Sequence, residues 1–102
     1  MRVISRKQLN DWGKKFPDAA ESLKAWLRNA RGATWETIAD LRGTYPHADP
    51  VEVQSGKIVV VFNVRGNRYR LITAIHYNRQ VIYTLRFMTH AEYSKDRWKE
   101  SL

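Results

Sequence analysis

Two short stretches hold most of the side chains able to do chemistry. In "FNVRGNRYRL", Phe62 to Leu71, Arg65, Arg68 and Arg70 fall within six positions, with Asn63 and Asn67 among them and no carboxylate in the run. In "RFMTHAEYSK", Arg86 is followed by His90 and Tyr93, three residues apart and so on one face of a helix that begins at Thr89. Guanidinium matches phosphate bidentately, and imidazole changes charge near neutral pH. Metal-free phosphodiester cleavage needs a base for the ribose 2′-hydroxyl proton, cations for the charge building on the phosphate, and an acid for the leaving 5′-oxygen. His90 suits either proton-transfer role, Tyr93 can donate or orient, and Arg70 and Arg86 can hold the phosphate. The competing reading of His90 is a plain helix-capping residue.

Other chemistries lack their parts. The chain has no cysteine, hence no disulfide framework and no thiolate ligand or nucleophile, in keeping with a reducing cytosol. His47, His76 and His90 lack metal-ligand spacing, so neither a metal nor any other cofactor is expected. "GTYPHADP" and "VRGNRY" match neither the dinucleotide nor the phosphate-loop pattern. No apolar run approaches the roughly 18 residues of a membrane span, and "MRVISRKQLN" does not read as a signal peptide. The expected location is therefore cytoplasmic, without a membrane partner.

Charge points to a polyanion. Eighteen Lys and Arg against ten Asp and Glu give a formal +8 and a pI near 10.1 in 102 residues. The distribution is one-signed in the middle. No acidic residue lies between Glu52 and Glu92, whereas Lys57, Arg65, Arg68, Arg70, Arg79 and Arg86 all do. At this length one domain, residues 1–102, with one modest core is expected.

The elements that must position these groups follow from periodicity. "MRVI" reads as a short strand. Ser5 offers an N-cap for a helix carrying Leu9, Trp12 and Phe16, stopped by Pro17. Asp18 is expected to cap a second helix with Leu23, Trp26, Leu27 and Ala30 on one face, ended by Gly32. Thr34 begins a third, through Leu41 to Gly43. From Val51 the period becomes that of strands, with "KIVVVFNV" typical of a central one. Gly66-Asn67 marks one hairpin, and Asn78-Arg79-Gln80 a second. Thr89 caps a final helix, "HAEYSKDRWKESL". The expected fold class is α+β, with N-terminal helices packed on one face of a twisted antiparallel sheet and a short C-terminal helix.

Register then decides where the arginines point. A turn at Gly66-Asn67 sets Arg65 opposite Arg68 and Asn63 opposite Arg70, with Phe62, Val64, Tyr69 and Leu71 on the other face. A three-residue loop at Asn78-Arg79-Gln80 sets Tyr77 opposite Val81. It puts Ile75, Val81, Tyr83, Leu85 and Phe87 on the apolar face, and Arg86 beside Arg68 and Arg70. The outer face would then carry Asn63, Arg65, Arg68, Arg70 and Arg86 without a carboxylate. Like charges facing each other destabilise a sheet, so a phosphate ligand is the expected counter-charge.

The stretch "VFNVRGNRYRLITAIHYNRQVIYTLRFMTHAEYSK" resembles the HigB family of type II toxin–antitoxin toxins, within the wider RelE-like group. The family pattern is a strand ending in Phe-Asn, a Gly-Asn turn, then Arg-Leu, and later Arg-Phe and Thr-His-x-Glu-Tyr-Asp. Here these are Phe62, Asn63, Gly66, Asn67, Arg70, Leu71, Arg86, Phe87, Thr89, His90, Glu92 and Tyr93. "MRVISRKQL…W…FPDAAESLKAW" is similar to the family's two opening helices. Arg65 stands where glycine is frequent, and Ser94 where an aspartate is. The resemblance implies a ribosome-dependent mRNA endoribonuclease acting in the decoding site. It also implies a cognate HigA-like helix-turn-helix antitoxin, through which alone operator DNA is bound. Its catalytic set would be Arg70, Arg86, His90 and Tyr93, with RNA held by Asn63, Arg65, Asn67, Arg68, Lys57 and Lys95. The alternative is a non-catalytic basic RNA-binding module, which usually shows stacking aromatics on its sheet; Tyr69 and Tyr83 are expected on the core side instead. A DNA-binding regulator is a third class, but no basic recognition helix is evident.

Overall fold

A computed structural model describes all residues, 1–102. The chain runs β1 (Arg2–Ile4), α1 (Arg6–Lys15), α2 (Ala20–Gly32), α3 (Ile38–Thr44), β2 (Asp49–Glu52), β3 (Ile58–Val64), β4 (Tyr69–His76), β5 (Val81–Thr89) and α4 (His90–Ser94), then a 3-10 turn at Arg97–Ser101. The sheet order is β1-β5-β4-β3-β2. All neighbours are antiparallel except β1, which pairs with β5 in parallel. This is the expected α+β architecture, with one parallel edge strand that the meander pattern does not announce.

The helix-covered face holds the larger core. Leu9 of α1, Leu23, Trp26 and Ala30 of α2, and Leu41 of α3 pack on Val60, Phe62, Val64, Tyr69, Leu71, Ile82 and Phe87. The aromatics make edge contacts there, as in Trp26 against Phe62 at 5.4 Å and Tyr45 against Phe62 at 5.3 Å. The opposite face is not bare. Val59, Val61, Ile72 and Met88 form a second cluster with Val53 and Trp98, joined by Tyr93 and Leu102. The C-terminal helix is shorter than its sequence suggests. Asp96 takes a left-handed conformation at φ 61°, which breaks the helix and lets the tail fold back so that Trp98 lies over the sheet.

Several local expectations are corrected. Ser5 stands at the N-cap of α1, but its side chain makes no capping hydrogen bond. The third helix starts later than Thr34, with Thr37 as its cap, accepting from the Asp40 N–H. Asp18 does not cap α2. It lies in a 3-10 turn, Pro17–Ala19, and Ala19 takes the N-cap position.

The second hairpin departs most. Its connection is four residues long, because His76 pairs with Val81 and Gln80 is drawn out of the strand. The Gln80 side-chain amide donates to the carbonyls of Trp35, at 2.7 Å, and Tyr77, at 2.9 Å, which ties the loop to the helical layer. This register sets Tyr83 opposite Ala74, on the second face, and Leu85 joins the second cluster rather than the helix-covered core. A β-bulge restores the phase: Ile72 faces Arg86 and Thr73 faces Thr84, leaving Leu85 as the extra residue. Phe87 returns to the main core, and Arg86 keeps to the side of Arg70.

Removing the Trp98 indole uncovers Val61, Ile72 and Met88. Trp98→Ala is expected to lower unfolding free energy by about 3 kcal/mol in urea denaturation, whereas the same change at exposed Lys95 should leave the midpoint nearly unmoved.

Candidate active site

The tip between β3 and β4 organises the site. Asn63 pairs with Arg70 and Val64 with Tyr69, as the hairpin signal implies. The left-handed residues, however, are Arg65 at φ 53° and Gly66 at φ 62°; Asn67 is not among them. A non-glycine residue in that region is strained, so the tip must be held by its side chains. It is held from two directions.

On the far side, Arg70 is 8% exposed, and no carboxylate lies within ion-pair distance of it. Its Nη1 donates to the carbonyls of Asn67, at 3.1 Å, and Tyr69, at 3.0 Å. Its Nη2 donates to Asn67 Oδ1 at 2.5 Å and meets His90 Nδ1 at 3.3 Å. Guanidinium cannot accept a hydrogen bond, so Nδ1 must be the acceptor, and the proton of a neutral His90 ring lies on Nε2. The ring is also fixed at its backbone, since the His90 N–H donates to the Arg68 carbonyl at 2.9 Å. Thr89 caps α4 by accepting from the Glu92 N–H, which starts the helix at His90 and brings Tyr93 round beneath Arg70. The guanidinium lies 5.6 Å from the Tyr93 ring centroid, and Trp98 stacks on that ring at 5.2 Å and 19°. Burial, then the charge of Asp49, push the Tyr93 phenol above its ordinary value, with Arg70 opposing. The phenol is protonated near neutrality, as a phenol at or above its ordinary value is, and has a proton to donate.

On the helix side, Asp18 reverses a central expectation. Arg65 Nη1 donates to Asp18 Oδ2 at 2.6 Å and Arg68 Nη1 to the same oxygen at 3.4 Å. The Tyr69 hydroxyl donates to Asp18 Oδ1 at 2.6 Å. Arg65 and Arg68 thus bend toward the helical layer instead of joining Arg70, and they do have a carboxylate partner. The Tyr69 hydrogen bond, then Arg65, hold the Asp18 carboxyl below its ordinary value. Asp18 in turn raises the Tyr69 phenol. The pairing spans 47 residues of sequence, and no local signal marks it; a proline-aspartate pair before a helix reads as a cap.

The remaining residues divide by place. Arg86 is exposed on the same face as Arg70 and donates only to the neighbouring Leu85 carbonyl, at 2.9 Å. Asn67 belongs to the centre through Arg70; Asn63 is half-buried opposite it. Lys95 is exposed beyond α4 and pairs with Glu92 at 3.5 Å. Lys57 is not brought to the cluster. It precedes β3, at the other end of the strand from the tip, and lines a cleft with His76 and Leu102. No group of three or more His, Asp or Glu side chains converges to hold a metal ion.

A family model described as the HigB toxin, the RelE-like toxic component of a toxin–antitoxin system, matches residues 19–96. The mRNA interferase toxin HigB of Escherichia coli (strain K12) is 28% identical over 93 residues, covering 91% of this chain and 88% of the relative. The mRNA interferase HigB of Escherichia coli O6:H1 is 25% identical over 95 residues, covering 93% and 90%. That of Shigella flexneri is 28% identical over 93 residues.

The shifts at Asp18 and Tyr69 carry a sign. A carboxyl with a depressed value stabilises the fold above its ordinary pKa, and this contribution disappears as pH falls through the depressed one. A phenol with a raised value stabilises while protonated and loses that contribution as pH rises through it. Asp18→Asn should therefore cost stability at neutral pH, and the gap from the unaltered chain should close as pH falls below about 4, read by urea midpoints along a pH series.

Proposed function

This chain belongs to the HigB family of RelE-like toxins, and from that premise we propose that it is an mRNA endoribonuclease, with residues 1–102 acting as one toxin domain. The observation that carries the reading is the buried, carboxylate-free guanidinium of Arg70, in contact with both His90 and Tyr93. A charge buried without a counter-ion costs stability, and a phosphodiester supplies the missing anion. The relatives' activity as mRNA interferases supports the same substrate class.

The two arginines divide the work. Arg70 commits four donors within the protein, so it orients His90 and supplies fixed positive charge. Arg86 commits one of five and is free to grip the phosphate bidentately. A ribose 2′-hydroxyl attacks the phosphorus as its proton passes to a non-bridging phosphate oxygen, and the P–O5′ bond breaks as the leaving 5′-oxygen takes that proton, yielding a 2′,3′-cyclic phosphate and a 5′-hydroxyl. His90, with Nε2–H available, donates to the leaving oxygen or to a phosphate oxygen. Tyr93, a phenol protonated at neutral pH, is the second donor. The cluster offers no second free imidazole or carboxylate as base. That shortage suits a reaction in the ribosomal decoding site, where rRNA and paired message complete the positioning. The site then acts on translated message in the cytoplasm. No helix of the chain is long and apolar enough to cross a membrane.

A toxin of this kind has an antitoxin. We take the partner to be a HigA-like helix-turn-helix protein, which also carries operator binding. The sheet gives the alternative, a purely binding RNA module, little stacking platform: Tyr69 is buried, Tyr93 is stacked on Trp98, and Tyr83, half-buried on the second face, meets His76 edge-on at the end of β4 away from the tip.

Expression from a tight promoter, with new 5′ ends mapped on a reporter message, tests the reading. The unaltered chain should arrest growth and cut within translated frames. Arg86→Ala should lower cleavage roughly 10²-fold or more while remaining folded, and His90→Ala by about 10²–10⁴. Intact message from soluble, folded protein would remove the nuclease assignment.

A further inference from the structure

The Asp18 contact has the form of an occupied anion seat. Three donors, from Arg65, Arg68 and the Tyr69 hydroxyl, converge on the two oxygens of one carboxylate. Two guanidinium groups against one carboxylate leave an excess positive charge. The contact is also open to water: the side chains of Arg65, Arg68 and Asp18 are 43%, 67% and 35% exposed. Ion pairs this exposed are weak and exchange readily. The two non-bridging oxygens of a phosphodiester present the same acceptor geometry with a full negative charge. Finally, the seat lies on the helix side of the same hairpin tip whose far side holds Asn67, Arg70 and His90, so an RNA strand crossing the tip passes both.

We propose that Arg65, Arg68 and the Tyr69 hydroxyl form a second phosphodiester seat, and that the Asp18 carboxylate fills it when no RNA is bound. The proposal rests on the RNA-substrate reading and deepens it. The seat grips a phosphate flanking the scissile one, and Asp18 competes with that phosphate as an internal mimic. Asp18 also holds the strained tip while the seat is empty, which keeps Asn67 and Arg70 in place.

The test is binding of a non-cleavable 2′-O-methyl oligoribonucleotide across a series of salt concentrations. Asp18→Asn should bind severalfold tighter at low salt. Its plot of log K against log salt should steepen by about 0.7, the release of one further counterion from a single strand. In an Arg65→Ala/Arg68→Ala background, binding should be weaker and shallower in salt, and Asp18→Asn should then change nothing. Unchanged affinity and slope in Asp18→Asn, alongside weakened binding by Arg86→Ala, would remove the second seat and leave the substrate reading intact. Because Asp18→Asn also removes a support of the tip, the double arginine variant decides independently: wild-type affinity and slope there also remove the seat. If neither the unaltered chain nor any variant binds the oligonucleotide, this inference falls, and the substrate reading stands or falls on the mapped cuts in translated message alone.

Discussion

A buried guanidinium without a negative partner is the constraint around which this structure is arranged. The protein satisfies Arg70 with carbonyl and amide oxygens, an imidazole nitrogen and an aromatic face. A carboxylate in the same place would be easier to bury, but it would neutralise the charge and repel a phosphate. Dipoles satisfy the donors while leaving the charge in force, as electrostatic preorganisation requires. Each neighbouring feature serves this end. The tip folds back so that Asn67 reaches Arg70, the α4 cap sets where His90 begins, and Trp98 backs the Tyr93 ring.

The hairpin tip joins two chemically different sides. Its far side is positive and uncompensated, whereas its helix side is paired with Asp18. The backbone between them is short, since Arg68 contributes its side chain to one side and its carbonyl, holding the His90 N–H, to the other. A change at the helix layer can therefore reach the histidine without any long-range pathway. The link is a few covalent bonds and two hydrogen bonds.

Much of this was legible in the sequence, and the limits have physical causes. The β-branched run at 58–64, the Gly-Asn turn and the Thr89 cap set the sheet, the β3–β4 register and the start of α4. Arg70, His90 and Tyr93 could be brought together from these alone. Arg86 also falls where expected, but by a different route: a four-residue loop and a compensating bulge replace the three-residue loop. Two shifts of register cancel, and only the side chain of Gln80 binding Trp35 explains the first. Asp18 was not legible as a partner, because its contacts are non-local and its local context mimics a helix cap. The second apolar cluster was hidden for a similar reason. Tail residues 97–102 carry no strong periodicity, so the return of Trp98 onto the sheet depends on the left-handed Asp96.

The chemistry of the cut ends tests the account most directly. RNA cleaved by the chain in a translating system should carry a 2′,3′-cyclic phosphate on one fragment and a 5′-hydroxyl on the other. A single 2′-deoxy nucleotide at the cut position should abolish cleavage there. Fragments bearing 3′-hydroxyl and 5′-phosphate ends, or undiminished cutting at the deoxy position, would contradict 2′-hydroxyl attack and with it the roles given to Arg70, Arg86, His90 and Tyr93.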